Sequence, residues 1–407
     1  MSRRRPSAPL SAFAFLSEPA GELPSAAAMK RDADLRDEAL LMMAVEQARQ
    51  GIGRTGPNPP VGAVVARGGR VLGKGFHRRA GRPHAEVEAF NDAGPNKSRG
   101  ATIYVTLEPC NHQGRTGPCT ERILDEGVAR VVVGVTDPHP RVNGKGIRRL
   151  RRAGVEVEVR KKGPAAQACR EIIAPFASVH TRGRPWVVVK VAATLDGKIA
   201  THTGHATWVT GPASRRLVHQ LRDRCDAILV GSGTVAIDDP SLTVREPVGR
   251  KRLNPRRVIV DSAIKAPANA KVFDTHPGDR APPLVLCTEQ VDSARQAALL
   301  DRGVKLERFE GDRVPLRAAL ERLAARDVLS VLVEPGGRLL AALVEEGLVD
   351  EVWWMSAPSL LGADGKSAFG RTGAETMDAA FDLVPARAPK AVGPDTLLIA
   401  GPPVPRA

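Results

Sequence analysis

The chain has 407 residues and a formal charge of +15, from 60 Lys and Arg against 45 Asp and Glu. Its length suits two or three domains, and 42% hydrophobic with 26% charged residues is a globular balance that excludes a disordered or fibrous chain. It contains no apolar run of about eighteen residues, so no membrane partner is expected. The basic excess is scattered, with one tyrosine and no basic block interleaved with aromatics, so no nucleic-acid partner is expected either. Five cysteines do not make a disulfide framework, and Cys169, Cys225 and Cys287 read as buried thiols in a reducing, cytoplasmic compartment.

Residues 1–35 open with MSRRRPSAPLSAFAFL, a basic start and a short apolar stretch broken by Pro and Ser. A disordered arm is expected there, with Met29 as an alternative start, rather than a targeting peptide. Apolar residues at helical spacing predict a helix over 35–51, ending at Gly51. Strands are predicted at 61–66 and 70–75, joined at Gly68-Gly69. A helix over 84–93 follows Pro83, then a strand over 101–107 and a loop holding Cys110. Pro118 and Cys119 open a helix to Glu126, and a strand at 131–135, a helix at 146–152 and a strand at 155–159 follow. A helix from Pro164 to about Ile173 and a basic loop lead to the second half. Strands are predicted there at 186–192, 226–231, 256–261, 283–287, 329–334, 350–358 and 395–400. Helices are predicted at about 212–224, 292–302, 315–325 and 337–346. Alternating strands and helices make both halves α/β.

The chemistry of the first half lies in PHAEVEAF and TLEPCNHQGRTGPC, which supply His84, Glu86, Cys110 and Cys119. One imidazole and two thiolates suit zinc, and three protein ligands leave a fourth position open. Zinc brings the pKa of its water from about 15.7 to about 7. Glu86, two residues beyond His84, can move protons without binding the metal. The pattern H-x-E followed by P-C-x-x-C marks zinc deaminases of nucleobases, but here eight residues separate the cysteines instead of two. Two rivals stand beside this reading. One is an RNA-binding protein with a structural zinc completed by His112, and the other is a nucleic-acid base deaminase.

In the second half, GSGTVA (231–236) mimics a dinucleotide fingerprint, but IDDP cuts short any helix after it. EPGGRLLAALVEEG (334–347) runs from a strand into a clear helix, so Gly336 and Gly337 would let a pyrophosphate approach. A plain helix start is the alternative. Arg222 and Arg245 are candidate phosphate ligands. Asp238-Asp239 reads as a turn, and Glu334, beside the glycine turn, is the better functional carboxylate.

Taken in order, PNPPVGAVV, GRPHAEVEAF, VTLEPCNHQGRTGPC, KVAATLDGKIA, VGSGTVAIDDPSLTVR and VEPGGRLLAALV resemble the bifunctional riboflavin-biosynthesis deaminase/reductases over about residues 36–401. The eight-residue cysteine insert is a feature of that family. The resemblance implies a cytidine-deaminase-like three-layer α/β/α domain over 36–180. It also implies a dihydrofolate-reductase-like α/β domain over 184–402. The implied reactions are deamination of 2,5-diamino-6-(5-phosphoribosylamino)pyrimidin-4(3H)-one at C2, then NADPH-dependent reduction of the ribosyl group of 5-amino-6-(5-phosphoribosylamino)uracil to ribityl. Carried over, His84, Cys110 and Cys119 hold Zn2+ and Glu86 shuttles protons, with Asn58, His112 and Arg115 lining that pocket. Ala192, Trp208, Thr234, Asp238, Ser262 and the run from Gly336 and Gly337 through Arg338 to Ala342 would contact NADPH. Arg222, Leu242, Arg245 and Glu334 would contact substrate, with Lys190 near the reacting ribose. Ala206 stands where similar proteins often have a serine that touches substrate, and Ala63 where a cysteine is common. A homodimer or tetramer is also implied.

Overall fold

The computed structural model describes residues 26–113, 117–245, 253–370 and 374–403. The first helix, α1 (Ala26–Arg49), starts nine residues before the expected Leu35. Residues 26–35 are therefore helical rather than part of an arm, and residues 1–25 lie outside the described residues. The next elements are β1 (Gly62–Arg67), β2 (Arg70–Phe76), α2 (Ala85–Ala93), β3 (Thr102–Val105), α3 (Cys119–Asp125), β4 (Arg130–Val133), α4 (Lys145–Arg152) and β5 (Glu156–Val159). They build a five-stranded sheet in the order β2-β1-β3-β4-β5. The β2-β1-β3 pairs are antiparallel and β3-β4-β5 is parallel.

Alternation along the strands sends side chains to two faces. Ala63, Val65, Ile103, Val105, Val131 and Val133 pack against α2, α3 and α4. Val64, Ala66, Tyr104 and Val132 pack against α1 and a long helix, α5 (Pro164–Arg182). Three layers result, α/β/α. Each fully buried Val, Leu or Ile contributes about 1.5–3 kcal/mol. The approach of α1 to β1 requires Gly62, where a Cβ would stand 2.0 Å from the Ala44 carbonyl oxygen.

α5 corrects an expectation. The expected end lies near Ile173, and Pro175, which lacks an N–H for the Glu171 carbonyl, lies beyond that point. The helix nevertheless continues to Arg182. Burial of Ile172, Ile173 and Phe176 favours the continuation. So do bonds at the far end, Ser178 Oγ to the Arg184 carbonyl (2.7 Å) and Arg182 Nη1 to Asp350 (2.6 Å).

The second half contributes β6 (Trp186–Thr194), β7 (Lys198–Ala200), α6 (Pro212–Arg224), β8 (Ala227–Gly231), α7 (Ser232–Asp238), β9 (Arg256–Val260), β10 (Leu284–Thr288), α8 (Ser293–Leu300), β11 (Lys305–Phe309), α9 (Leu316–Ala324), β12 (Ser330–Val333), α10 (Gly337–Glu345) and β13 (Glu351–Ala357). Short strands β14 (Lys366–Ser367), β15 (Val384–Pro385) and β16 (Lys390–Val392) precede the closing β17 (Asp395–Gly401). The main sheet runs β11-β10-β9-β8-β12-β6-β13-β17-β15, with β16 also on β17. From β11 to β13 every pair is parallel, and β17 returns antiparallel. Leu221 of α6 and Leu299 of α8 pack on one face, and α9 and α10 cover the other. Parallel strands covered on both faces explain the continuous apolar runs such as WVVVKVA.

The halves meet where loop 51–56 touches the end of α6. Arg54 Nη2 lies 2.6 and 2.8 Å from the two Asp223 carboxylate oxygens. Arg280 donates to the Gly53 carbonyl and pairs with Asp226 at 3.1 Å.

Candidate active sites

The first site sits at the start of two helices. His84 is the extended residue preceding α2, so its ring is fixed where that helix begins. Cys119 is the first residue of α3, and Cys110 lies in the loop after β3. His84 Nδ1 lies 3.2 Å from Cys119 Sγ and 3.6 Å from Cys110 Sγ, and the Cys119 amide points at Cys110 Sγ from 3.4 Å. The three ligand atoms fall within 4.8 Å of one another. Ligands about 2.0–2.3 Å from one tetrahedral zinc stand roughly 3.3–3.8 Å apart, so this donor set fits the ion. The hydrogen bond with Cys119 holds the Cys110 thiol down at about 4 against the effect of burial, and His84 adds to it. Cys119 is pushed up, so one proton serves both sulfurs.

Glu86, one residue into α2, is 3% exposed. Burial pushes its carboxyl up, and His84 offsets this only in part. A carboxyl raised toward neutral pH suits proton transfer. Asn58 Nδ2 meets His77 Nε2 at 3.1 Å, and the His77 ring stands edge-on to His84 at 5.3 Å. His112 is exposed and stays outside the ligand set, though its charge reaches Asp137. Among the described residues no fourth ligand joins the three, which leaves the structural-zinc rival without support. Arg115 lies outside the described residues.

Two supporting residues carry no motif of their own in the sequence. His77 links Asn58 to the Pro83 carbonyl, which its Nδ1 meets at 3.1 Å. The buried Glu108 carboxylate accepts from the amides of Asp137, Gly144, Gly146 and Ile147 at 2.8–3.2 Å, tying the cysteine loop to the start of α4. Its position just before Pro109-Cys110 was the available signal.

The second site is a cleft of about 1050 Å³ along β6 and at the carboxyl ends of β8 and β12, where open α/β sheets receive ligands. Lys190, Ala192, Trp208, Arg222, Thr234, Asp238, Arg245, Glu334, Gly336, Gly337 and Arg338 all line it. Ser262 and Leu242 do not. Ser262 Oγ accepts from the Val314 amide beyond β9, and Leu242 is buried at 2% exposure. Ala342 of the expected run is also outside the lining.

The start of α10 faces the cleft without a side-chain cap. A Cβ on Gly336 would meet only Thr234 Oγ1, at 3.8 Å, so open space stands over these amides. Gly337 is different, because a Cβ there would press the Gly370 nitrogen at 3.0 Å. Uncapped amides beside an open, roomy cleft fit the pyrophosphate of a dinucleotide.

Two residues before Gly336, Glu334 is gripped by Arg222 Nε and Nη2 at 2.7 and 3.0 Å, and Lys190 Nζ stands 3.6 Å from it. Burial pushes the Glu334 carboxyl up, but Arg222 and Lys190 outweigh it and hold it at about 2. Arg222 Nη1 reaches the Thr243 carbonyl at 3.2 Å, so this guanidinium is committed within the protein. His219, Arg215, Lys366 and Phe369 also line the cleft and carried no sequence signal.

Residues 35–135 match the family described as the cytidine and deoxycytidylate deaminase zinc-binding region, and residues 185–392 match the RibD C-terminal domain. The riboflavin biosynthesis protein RibD of Synechocystis sp. is 40% identical over 364 residues, spanning 89% of this chain and 95% of that protein. The chain belongs to the RibD family. RibD of Aquifex aeolicus is 41% identical over 326 residues, 80% of this chain and 88% of its own length. The solved RibD of Acinetobacter baumannii superposes with a TM-score of 0.81 at 34% identity, covering 91% of this chain and 99% of that one. The Thermotoga maritima diaminohydroxyphosphoribosylaminopyrimidine deaminase/5-amino-6-(5-phosphoribosylamino)uracil reductase gives 0.77 at the same identity and coverage. A deaminase domain followed by a RibD reductase domain is therefore the architecture of this chain. No helix among the described residues is long and apolar enough to cross a membrane.

Proposed function

We propose that this RibD family member performs two consecutive steps of riboflavin biosynthesis. The first hydrolyses the 2-amino group of 2,5-diamino-6-(5-phosphoribosylamino)pyrimidin-4(3H)-one. The second reduces the ribosyl chain of the resulting 5-amino-6-(5-phosphoribosylamino)uracil to ribityl. The observation carrying the first step is the three-ligand set with buried Glu86 beside it. His84, Cys110 and Cys119 would hold the zinc, which would supply a Lewis acid for activating water. Glu86 accepts a proton from the attacking water and returns protons to the ring and to departing ammonia. Asn58, His112 and Arg115 hold the pyrimidine and its phosphate side.

In the cleft, bound NADPH supplies the hydride. Ala192, Trp208, Thr234, Asp238 and the Gly336–Arg338 turn hold the dinucleotide. Lys190 and Glu334 orient the ribose, Arg222 holds Glu334 in place, and Arg245 serves the phosphate end. A deaminase half from α1 through α5, a reductase half from β6 onward, a cytoplasmic location and a homodimer or tetramer complete the proposal.

The test uses the full chain and both substrates. Glu86→Ala is expected to keep zinc, lose ammonia release, and still oxidise NADPH when given the deaminated substrate. A metal chelator is expected to stop only the first step. Ammonia release by Glu86→Ala at the wild-type rate would sink the assignment.

A further inference from the structure

The segment that delivers Arg245 to the cleft belongs to no strand. Leu242, Thr243 and Val244 are all buried, and Arg245 is the exposed residue that follows them. Because no sheet partner receives its backbone, that backbone must be satisfied by side chains. The Val244 amide donates to Asn254 Oδ1 at 2.9 Å. The Thr243 carbonyl accepts from Arg222 Nη1 at 3.2 Å. The Arg245 amide itself donates to His219 Nδ1 at 3.3 Å. His219 and Arg222 lie three residues apart, so they share one face of α6 and both grip this segment.

His219 is 7% exposed and lines the cleft. Accepting at Nδ1 requires the neutral ring with its proton on Nε2. The surroundings enforce that form. Burial first, then the Arg222 and Arg245 guanidiniums, push the ring down to about 4, against Glu334 and the Thr243 carbonyl. The imidazole thus accepts a hydrogen bond between two cations without adding a third charge.

We infer that His219 is a positioning residue of the reductase site, whose Nδ1 fixes the Arg245 backbone so that the Arg245 guanidinium meets the substrate phosphate. This role deepens the proposed reductase function and rests on it. Arg222 is committed to Glu334 and Thr243, so of the two arginines expected to contact substrate Arg245 is the one left to discriminate a phosphorylated substrate, and His219 sets its aim.

Asn places Oδ1 close to where His has Nδ1, whereas Leu keeps bulk and removes the acceptor. The test compares wild type, His219→Leu and His219→Asn in the full chain. Each is given the deaminated ribosylaminopyrimidine with and without its 5-phosphate. His219→Leu is expected to raise KM for the phosphorylated substrate roughly tenfold. It should leave KM for the dephosphorylated compound, kcat and NADPH affinity within about threefold. His219→Asn is expected to restore KM to within about threefold of wild type. Retained NADPH binding, read by fluorescence titration, shows that the domain is folded. An unchanged KM in His219→Leu, an equal rise for both substrates, or no rescue by Asn would each overturn the inference. Failure of the wild type to reduce either compound would instead count against the reductase function itself.

Discussion

Glu334 concentrates the electrostatics of the reductase cleft in one side chain. Its carboxylate is charged only because Arg222 and Lys190 outweigh its burial. Replacing it with Gln leaves the buried Arg222 and the half-buried Lys190 short of a partner, so Glu334→Gln is expected to destabilise the second domain by about 3 kcal/mol and abolish reduction while deamination continues. Denaturant titration with paired assays checks this. Two residues of the reductase cleft contribute to the acid limb of stability. His219 has its folded value depressed from 6.5 to about 4, so the stability it contributes is complete above 6.5 and falls away toward 4. Glu334, depressed from 4.5 to about 2, contributes fully above 4.5 and loses its share only on the way to 2. His219→Asn is expected to flatten the upper window alone, and Glu334→Gln the lower, in unfolding followed from pH 7 to pH 2. At this scale the zinc residues were legible because His84-x-Glu86 and Pro109-Cys110 are local spacings. His219 was not, since its partner lies 26 residues away and only the fold brings them together.

Among the elements, α10 had the clearest sequence signature, and the turn before it allows a clean test. Gly336 has extended backbone and room for a Cβ, so Gly336→Ala is expected to raise stability by about 0.4–1 kcal/mol through the unfolded chain. The same methyl would stand in the open space assigned to pyrophosphate. KM for NADPH is therefore expected to rise at least roughly tenfold, with zinc content and deamination unchanged. A stabilised variant with unaltered KM would remove the dinucleotide from this turn. Elements that escaped prediction did so for physical reasons. β11, KLERF, is an edge strand whose charged residues break the apolar run that marks its parallel neighbours. α1 gains residues that carry little apolar periodicity, and α5 passes Pro175 because tertiary burial outweighs one lost hydrogen bond. The strands of the main sheet were legible because parallel strands buried on both faces leave uninterrupted Val, Ile and Leu runs.

For the whole molecule, the decisive contact is Arg54 with Asp223, 169 residues apart in sequence. Asp223 follows Arg222 directly, and Arg54 lies four residues before Asn58, so this ion pair joins the backbones that carry the two active sites, with Arg280 on Gly53 and Asp226 beside it. Arg54→Ala is expected to raise KM for the diaminopyrimidine several-fold with zinc retained, Asp223→Ala to do likewise, and the double variant to add nothing beyond either. Additive effects in the cycle would show that the pair does not support the loop.

The continuous helix α5, joined to β6 by residues 183–185, also sets how long the chain between the two sites can be. Each residue inserted into α5 would turn the downstream chain by about 100° and advance it by about 1.5 Å. One insertion swings Asp223 out of register with Arg54. Seven insertions nearly restore the phase but add roughly 10 Å, which no guanidinium spans. The connector is thus a gauge whose length is set by contacts distant from it, and lengthening it is tolerated only where Gly183, with its φ of 71°, lets the chain break direction.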